Sequence, residues 1–115
     1  MKKRVLIGVA ILCGLSYSYA SGVTQSQFDV SVKKLYNDIE LSQTRLHQSV
    51  DSNQSELLIV QRACEYANSL NALAQFAKEN AHISKAKDEE NFAQSMRKSF
   101  DQSFKDLGTS YQKSC

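Results

Sequence analysis

The longest apolar stretch after the N-terminus covers residues 57–77, LLIVQRACEYANSLNALAQFA. Its apolar residues recur at steps of three and four, which predicts a helix. One predicted face contains Leu57, Val60, Cys64, Ala67, Leu70 and Ala74, and a second set widens it: Leu58, Ala63, Tyr66, Leu73, Phe76 and Ala77. A helix with so wide an apolar surface must be covered from two directions, so we expect it to lie between two amphipathic neighbours.

The segment before it, about residues 25–51, has one apolar stripe. The stripe consists of Phe28, Val32, Leu35, Ile39, Leu46 and Val50, with Ser42 in one apolar position and Tyr36 beside it. Few residues after Leu41 are strongly apolar, so we expect the second half of this helix to be frayed or loosely held. In an alternative reading, the helix breaks near residues 42–44 and the chain has four helices.

The segment after it, about residues 88–107, is strongly amphipathic. Its stripe consists of Phe92, Met96, Phe100, Phe104, Leu107 and Tyr111. We expect this stripe to pack on the central helix, although methionine and aromatic side chains can also form a groove for a ligand or a partner helix. Gly108 is the predicted end of the helix, because glycine is favoured just past a helix C-terminus.

Polar residues mark the two breaks between these helices. Asn53 and Glu56 predict a capping box at the start of the central helix, about residues 54–79. The acidic run 88–90 suits the positive end of the third helix better than it suits a cation site. No segment alternates like a strand. The predicted fold is therefore all-α, a small antiparallel three-helix bundle.

The N-terminus has the pattern of a secretory signal peptide. Residues 2–4 are basic, residues 5–15 are apolar, and Ser18 and Ala20 are small residues at the positions that a signal peptidase reads. We predict cleavage after Ala20. The apolar run is short for an uncleaved membrane anchor, and a large residue precedes Cys13, which disfavours lipidation there.

Cleavage leaves residues 21–115 as one helical domain of near-neutral charge. It removes three of the 14 basic residues and none of the 12 acidic ones, so the mature chain has a net charge of −1. Without a cluster of lysine and arginine, nucleic acid is a poor candidate partner. The domain also lacks the basic face of a membrane-surface helix, so an uncleaved signal is its one expected contact with a membrane.

Two cysteines remain in the mature chain, Cys64 and Cys115. Exported proteins usually pair such cysteines, so we predict a disulfide. Closing a loop of about 50 residues is worth on the order of 4 kcal/mol in the chain-entropy model. A straight third helix would carry Cys115 past its partner. We therefore expect the chain to bend near Gly108 and to return across the other helices.

No motif in the sequence indicates catalysis or a bound cofactor. We find no nucleophile elbow, phosphate-binding loop or zinc-protease motif, and no CxxCH haem attachment. His47 and His82 do not lie at ligand spacing from a cysteine, and we expect both to be solvated. The sequence therefore predicts a protein that is not an enzyme and that holds no metal or cofactor.

The remaining hypothesis is an exported, periplasmic or secreted protein that binds another protein. Its most concrete form is an inhibitor or immunity-type protein that occludes an envelope enzyme or a toxin, as a monomer or a small homo-oligomer. The alternatives are a structural or chaperone-like envelope component and, third, a small cofactor-binding helical bundle. Function tends to collect at helix ends and loops, so the predicted partner surface is Arg45, His47, Gln48, Asp51, His82, Lys85, Lys87 and Asp88.

Overall fold

The computed structural model describes residues 23–115, so the predicted signal peptide and its cleavage site lie outside the described residues. Within this range the chain contains no strand and forms four helices: α1 (Gln25–Asp51), α2 (Glu56–Glu79), α3 (Ala86–Asp106) and α4 (Tyr111–Ser114). The all-helical prediction is confirmed. None of the helices between residues 23 and 115 is both long and apolar enough to cross a bilayer.

Helix α2 is the element against which the other helices pack. Both α1 and α3 lie along it, while α1 and α3 contact each other little. Helix α1 is antiparallel to α2. The ring of Phe28 stacks on Phe76 with centroids 5.4 Å apart, and further along the pair the hydroxyls of Ser42 and Ser69 lie 3.0 Å apart. The wide apolar surface of α2 is therefore covered from two sides.

The buried face of α2 is not centred where the sequence pattern placed it. The buried residues are Ala63, Tyr66, Ala67, Leu70, Leu73 and Ala77. Leu57 was predicted to begin the core face, but it is 70% exposed. Three of the buried residues are alanines, and small side chains allow neighbouring helices to approach closely. The buried face of α2 therefore combines three small side chains with the larger Tyr66, Leu70 and Leu73.

Helix α1 begins with a complete capping box. The backbone N–H of Gln27 donates to Oγ1 of Thr24 (3.2 Å), and the N–H of Thr24 donates to Oε1 of Gln27 (3.0 Å). Two donors at the helix start that lack partners within the helix are thereby satisfied.

The second half of α1 is neither broken nor frayed, so the four-helix alternative with a break at residues 42–44 is wrong. Its buried face there contains Ser42, Leu46 and Ser49, while Val50 is half exposed. The hydroxyl of Ser42 donates to the carbonyl of Ile39 (2.9 Å), and that of Ser49 donates to the carbonyl of Leu46 (2.8 Å). Because both hydroxyls are satisfied inside the helix, they can be buried at low cost.

The turn between α1 and α2 corrects the predicted cap. Ser55, and not Asn53, is the N-cap of α2, and its Oγ accepts from the N–H of Leu58 at 3.2 Å. Asn53 has φ +52°. Asparagine is among the few residues that adopt this left-handed conformation readily, so Asn53 forms the turn between the helices. The N-cap is the residue two positions later, Ser55.

Helix α3 packs on a face that differs from the predicted stripe in its first half. The residues buried there are Ala86, Glu90 and Ala93, whereas Phe92 is 43% exposed and Met96 is 36% exposed. The small alanines face α2, and Phe92 lies at the edge against Tyr36 of α1. Further along, the predicted stripe is correct at Phe104, which is buried, and at Phe100, which is half-buried and packs on Tyr66.

The end of α3 confirms the predicted bend. Gly108 has φ +78°, its N–H donates to the carbonyl of Lys105, and the N–H of Thr109 donates to the carbonyl of Phe104. This pair of hydrogen bonds is a Schellman motif. The chain then returns through α4, and Cys115 lies at disulfide-bonding distance from Cys64, with Cα atoms 5.6 Å apart. The predicted cysteine pair is confirmed.

Candidate functional site

The predicted partner residues lie at opposite ends of α1. At one end, the N–H of Val23 donates to Oδ1 of Asn80 (3.3 Å) and Nε2 of His82 lies 2.9 Å from the carbonyl oxygen of Val23. At the other end, Asp51 is the last residue of α1. A helix of 27 residues is about 40 Å long at 1.5 Å per residue. The eight candidates therefore form two separate groups.

In the group at the start of α1, His82 contacts a distant part of the chain, and the other three residues lie at the start of α3. His82, predicted to be solvated, is exposed but contacts the backbone of Val23. Lys85 is the N-cap of α3 and makes no side-chain capping hydrogen bond. Lys87 lies 3.6 Å from Glu90, and Asp88 occupies the first turn of α3, where a carboxylate favours the helix dipole.

The group at the end of α1 lies beside two clefts. Helices α1 and α3 meet where Tyr36 contacts Glu89 and Phe92. Towards Asp51 a gap between them opens over α2, with a volume of about 370 Å³. We call this gap the apolar cleft; its lining consists of Leu46, His47, Val50, Ile59, Ala63, Phe100, Ser103, Asp106 and Leu107.

The second cleft lies between the end of α1 and the start of α2 and has a volume of about 500 Å³. We call it the cationic cleft; its lining consists of Arg45, Gln48, Ser49, Ser52, Gln54, Leu58 and Arg62. Arg45 and Gln48 were predicted as partner residues. Arg62 was missed, because the sequence placed it in the apolar central segment and gave no signal that its side chain would meet Arg45 at one cleft.

Three residue types of a hydrolase triad line the apolar cleft, namely Ser103, His47 and Asp106. A triad requires the histidine to be hydrogen-bonded to both the nucleophile and the carboxylate. Among the described residues no hydrogen bond joins these three side chains, and Oδ1 of Asp106 instead accepts from Gln102 at 2.9 Å. The apolar cleft is therefore lined mainly by apolar side chains, together with the polar side chains of His47, Ser103 and Asp106.

Tyr36 links α1 to α3 beside the point where the two helices diverge. Its hydroxyl donates to Oε1 of Glu89 at 2.5 Å. Burial raises the pKa of Tyr36 well above its ordinary value of about 10, and the adjacent carboxylate of Glu89 raises it further. Tyr36 therefore stays neutral and remains a hydrogen-bond donor at alkaline pH.

The returning C-terminal segment is held on α2 through Tyr111. Its hydroxyl donates to Oδ1 of Asn68 (2.6 Å) and accepts from Nδ2 of Asn71 (3.3 Å). The guanidinium of Arg97 lies 4.3 Å from the centre of the Tyr111 ring, a cation–π geometry. The sequence pattern predicted Tyr111 on the stripe of α3, but it lies beyond the bend and packs against Phe104 from outside the helix.

Comparison of the chain with protein-family models, with curated proteins and with solved structures found no match. In residues 23–115, no group of three or more histidine, cysteine, aspartate or glutamate side chains is placed to hold a metal ion.

Proposed function

We propose that this chain is an exported, non-enzymatic protein whose helices form a small antiparallel bundle and bind another protein. Its most concrete form is an inhibitor or immunity-type protein that occludes an envelope enzyme or a toxin. The observation that supports the proposal best is the apolar cleft, whose lining includes one of the predicted partner residues, His47.

The cleft suits an apolar side chain of a partner protein. Its walls include Leu46, Ile59, Phe100 and Leu107, and its rim includes Val50, which is 50% exposed. Binding energy at protein interfaces is concentrated where an apolar or aromatic anchor fills such a pocket and a polar rim excludes water. His47, Ser103 and Asp106 supply polar groups among the lining residues.

The test is co-purification from the native envelope, with a tag placed after Cys115 through a linker. The variant Val50→Gln places an amide at the cleft, and Val30→Gln is the matched control. Val30 is an exposed valine of the same helix, 70% accessible, that lines neither cleft. We expect one protein at near-equal amount with the parent chain and with Val30→Gln, and at least a tenfold loss with Val50→Gln.

Two results would contradict the proposal. One is a defined partner that binds both variants equally, which would place the contact elsewhere. The other is the absence of any co-purifying protein after chemical crosslinking in the envelope.

The alternative, a chaperone-like envelope component, is favoured by apolar side chains exposed outside the cleft. Leu41, Leu57, Phe92 and Met96 are each at least one-third accessible. A chaperone would retain a broad set of envelope proteins and would bind a hydrophobic dye in its oxidised native state. A dedicated inhibitor would bind one partner and little dye.

A further inference from the structure

The cationic cleft concentrates positive charge in a domain that has almost no net charge. Two of the three arginines in residues 23–115, Arg45 and Arg62, line it. Arg62 is paired with Glu65, and the third arginine, Arg97, is paired with Asp101 and lies over a tyrosine ring. No aspartate or glutamate is among the residues that line the cleft.

Both arginines retain free hydrogen-bond donors. Nη1 of Arg62 contacts the two carboxylate oxygens of Glu65 at 3.1 and 3.0 Å, which leaves Nη2 and Nε for a ligand. In the part of the chain that the structure describes, no carboxylate lies within salt-bridge distance of Arg45. Its guanidinium therefore has all five N–H donors available for an anion.

The other cleft residues add neutral donors. Gln48, Ser52 and Gln54 contribute two amides and a hydroxyl, and none of these side chains makes a hydrogen bond within residues 23–115. Gln54 and Leu58 lie on either side of the start of α2. The dipole of α2 places partial positive charge at this end of the helix, beside the cleft. The carboxylate of Glu56 in the first turn partly offsets that charge. The polar side chains that line the cleft thus include several donors and no carboxylate.

We infer that the cationic cleft binds an oxyanion, a phosphate or carboxylate group of a small molecule. The planar guanidinium presents two parallel N–H groups that match the oxygen spacing of both anions. A volume of about 500 Å³ is within the usual range of about 300–1,000 Å³ for small-molecule sites. This inference does not depend on the proposed protein partner, because the two clefts have different walls.

The test is a titration of the oxidised protein, purified after export, with inorganic phosphate at constant ionic strength. Backbone amide shifts are followed by two-dimensional NMR. We expect saturable shifts centred on residues 45–62, and at least tenfold weaker binding in Arg45→Gln and in Arg62→Gln. The matched control is Lys34→Gln, which removes an exposed positive charge from α1 outside the cleft and leaves the affinity unchanged.

A second titration with citrate distinguishes the two sources of the oxyanion. Saturation by phosphate alone assigns a phosphate ligand, and saturation by citrate alone assigns a carboxylate ligand. Saturation by both phosphate and citrate indicates a site that recognises an anion by its charge and the spacing of its oxygens. The inference is overturned if neither anion saturates, or if the saturable shifts survive in both arginine variants. Either failure leaves the co-purification experiment at the apolar cleft unaffected.

Discussion

Each buried polar side chain in residues 23–115 has a hydrogen-bond or ion-pair partner, and two of them, Ser42 and Asn80, join separate parts of the chain. Asn80 is 5% exposed. Its Nδ2 donates to the carbonyl of Phe76 (2.8 Å), and its Oδ1 accepts from the N–H of Val23 (3.3 Å). One amide thus ends α2 and positions the chain just before α1. Because such groups are costly to bury without partners, they restrict how the helices can pair.

At this same scale, the pair Tyr36 and Glu89 predicts how stability depends on pH. Because the pKa of Tyr36 is raised in the folded state, the folded protein retains a proton that the unfolded chain loses above about pH 10. The raised pKa of Tyr36 therefore adds to the free energy of unfolding in full below about pH 10, and this stabilisation is lost as the pH rises further. Urea unfolding at neutral pH and near pH 11 should show a lower free energy of unfolding at the higher pH.

The variant Tyr36→Phe isolates this contribution. It removes the hydrogen bond to Glu89, so we expect the free energy of unfolding at neutral pH to fall by about 1 kcal/mol. The further decrease in the free energy of unfolding between neutral pH and pH 11 should be smaller in the variant than in the parent protein. Some decrease should remain, because burial also raises the pKa of Tyr66. An equal alkaline loss in the two proteins would refute the role given to Tyr36.

At the scale of the element, the C-terminal segment 108–115 is attached at few points. Helix α4 has only four residues and no buried side chain. Its attachment to the other helices depends on Tyr111, which contacts Asn68 and Asn71 of α2, and on the bond between Cys115 and Cys64. Elements with so few buried contacts have low local stability. The disulfide is therefore the main constraint on this segment.

Replacing Cys115 by serine should release the segment and destabilise the whole domain. We expect a loss of up to about 4 kcal/mol in the free energy of unfolding, because the unfolded chain regains the freedom of a loop of 51 residues. Amide hydrogen exchange should lose protection at residues 109–115 first. The control is the reduced parent protein, which should match Cys115→Ser; unchanged protection and stability in both would refute this account.

Sequence periodicity predicted the helices well and their buried faces less well. The Schellman glycine and the bend after it followed from local rules about Gly108 and the geometry of a cysteine pair. The exposure of Leu57 and Phe92 did not, because periodicity gives the width of an apolar surface and not the side from which a neighbour approaches. Likewise, the sequence predicts that a serine such as Ser49 is exposed. Ser49 is buried because its hydroxyl donates to a carbonyl of its own helix, which the sequence pattern does not show.

The candidate site shows the same limit more strongly. The sequence grouped the polar end of α1 with residues 82–88, which lie near the other end of that helix, about 40 Å away along its axis. It also missed Arg62, Ile59 and Leu107, which line the clefts from α2 and the end of α3. A site formed by three helices depends on their tertiary arrangement, which spacing along one helix does not encode.

At the scale of the whole molecule, the shared central helix accounts for both clefts. Helices α1 and α3 are each held by α2 and touch each other near Tyr36. Their divergence beyond that point leaves the apolar cleft on one side of α1, and the cationic cleft opens beside the turn into α2. Both therefore open at one end of the protein, while the other end joins α2 to α3.

The most direct test of the central claim is photocrosslinking in native cells from a light-activated residue placed at position 50 or, as the control, at position 30. Our account predicts a crosslink from position 50 to one defined protein, and none to that protein from position 30. A crosslink to the same protein from both positions, or from position 30 alone, would contradict the assignment of the apolar cleft as the partner site.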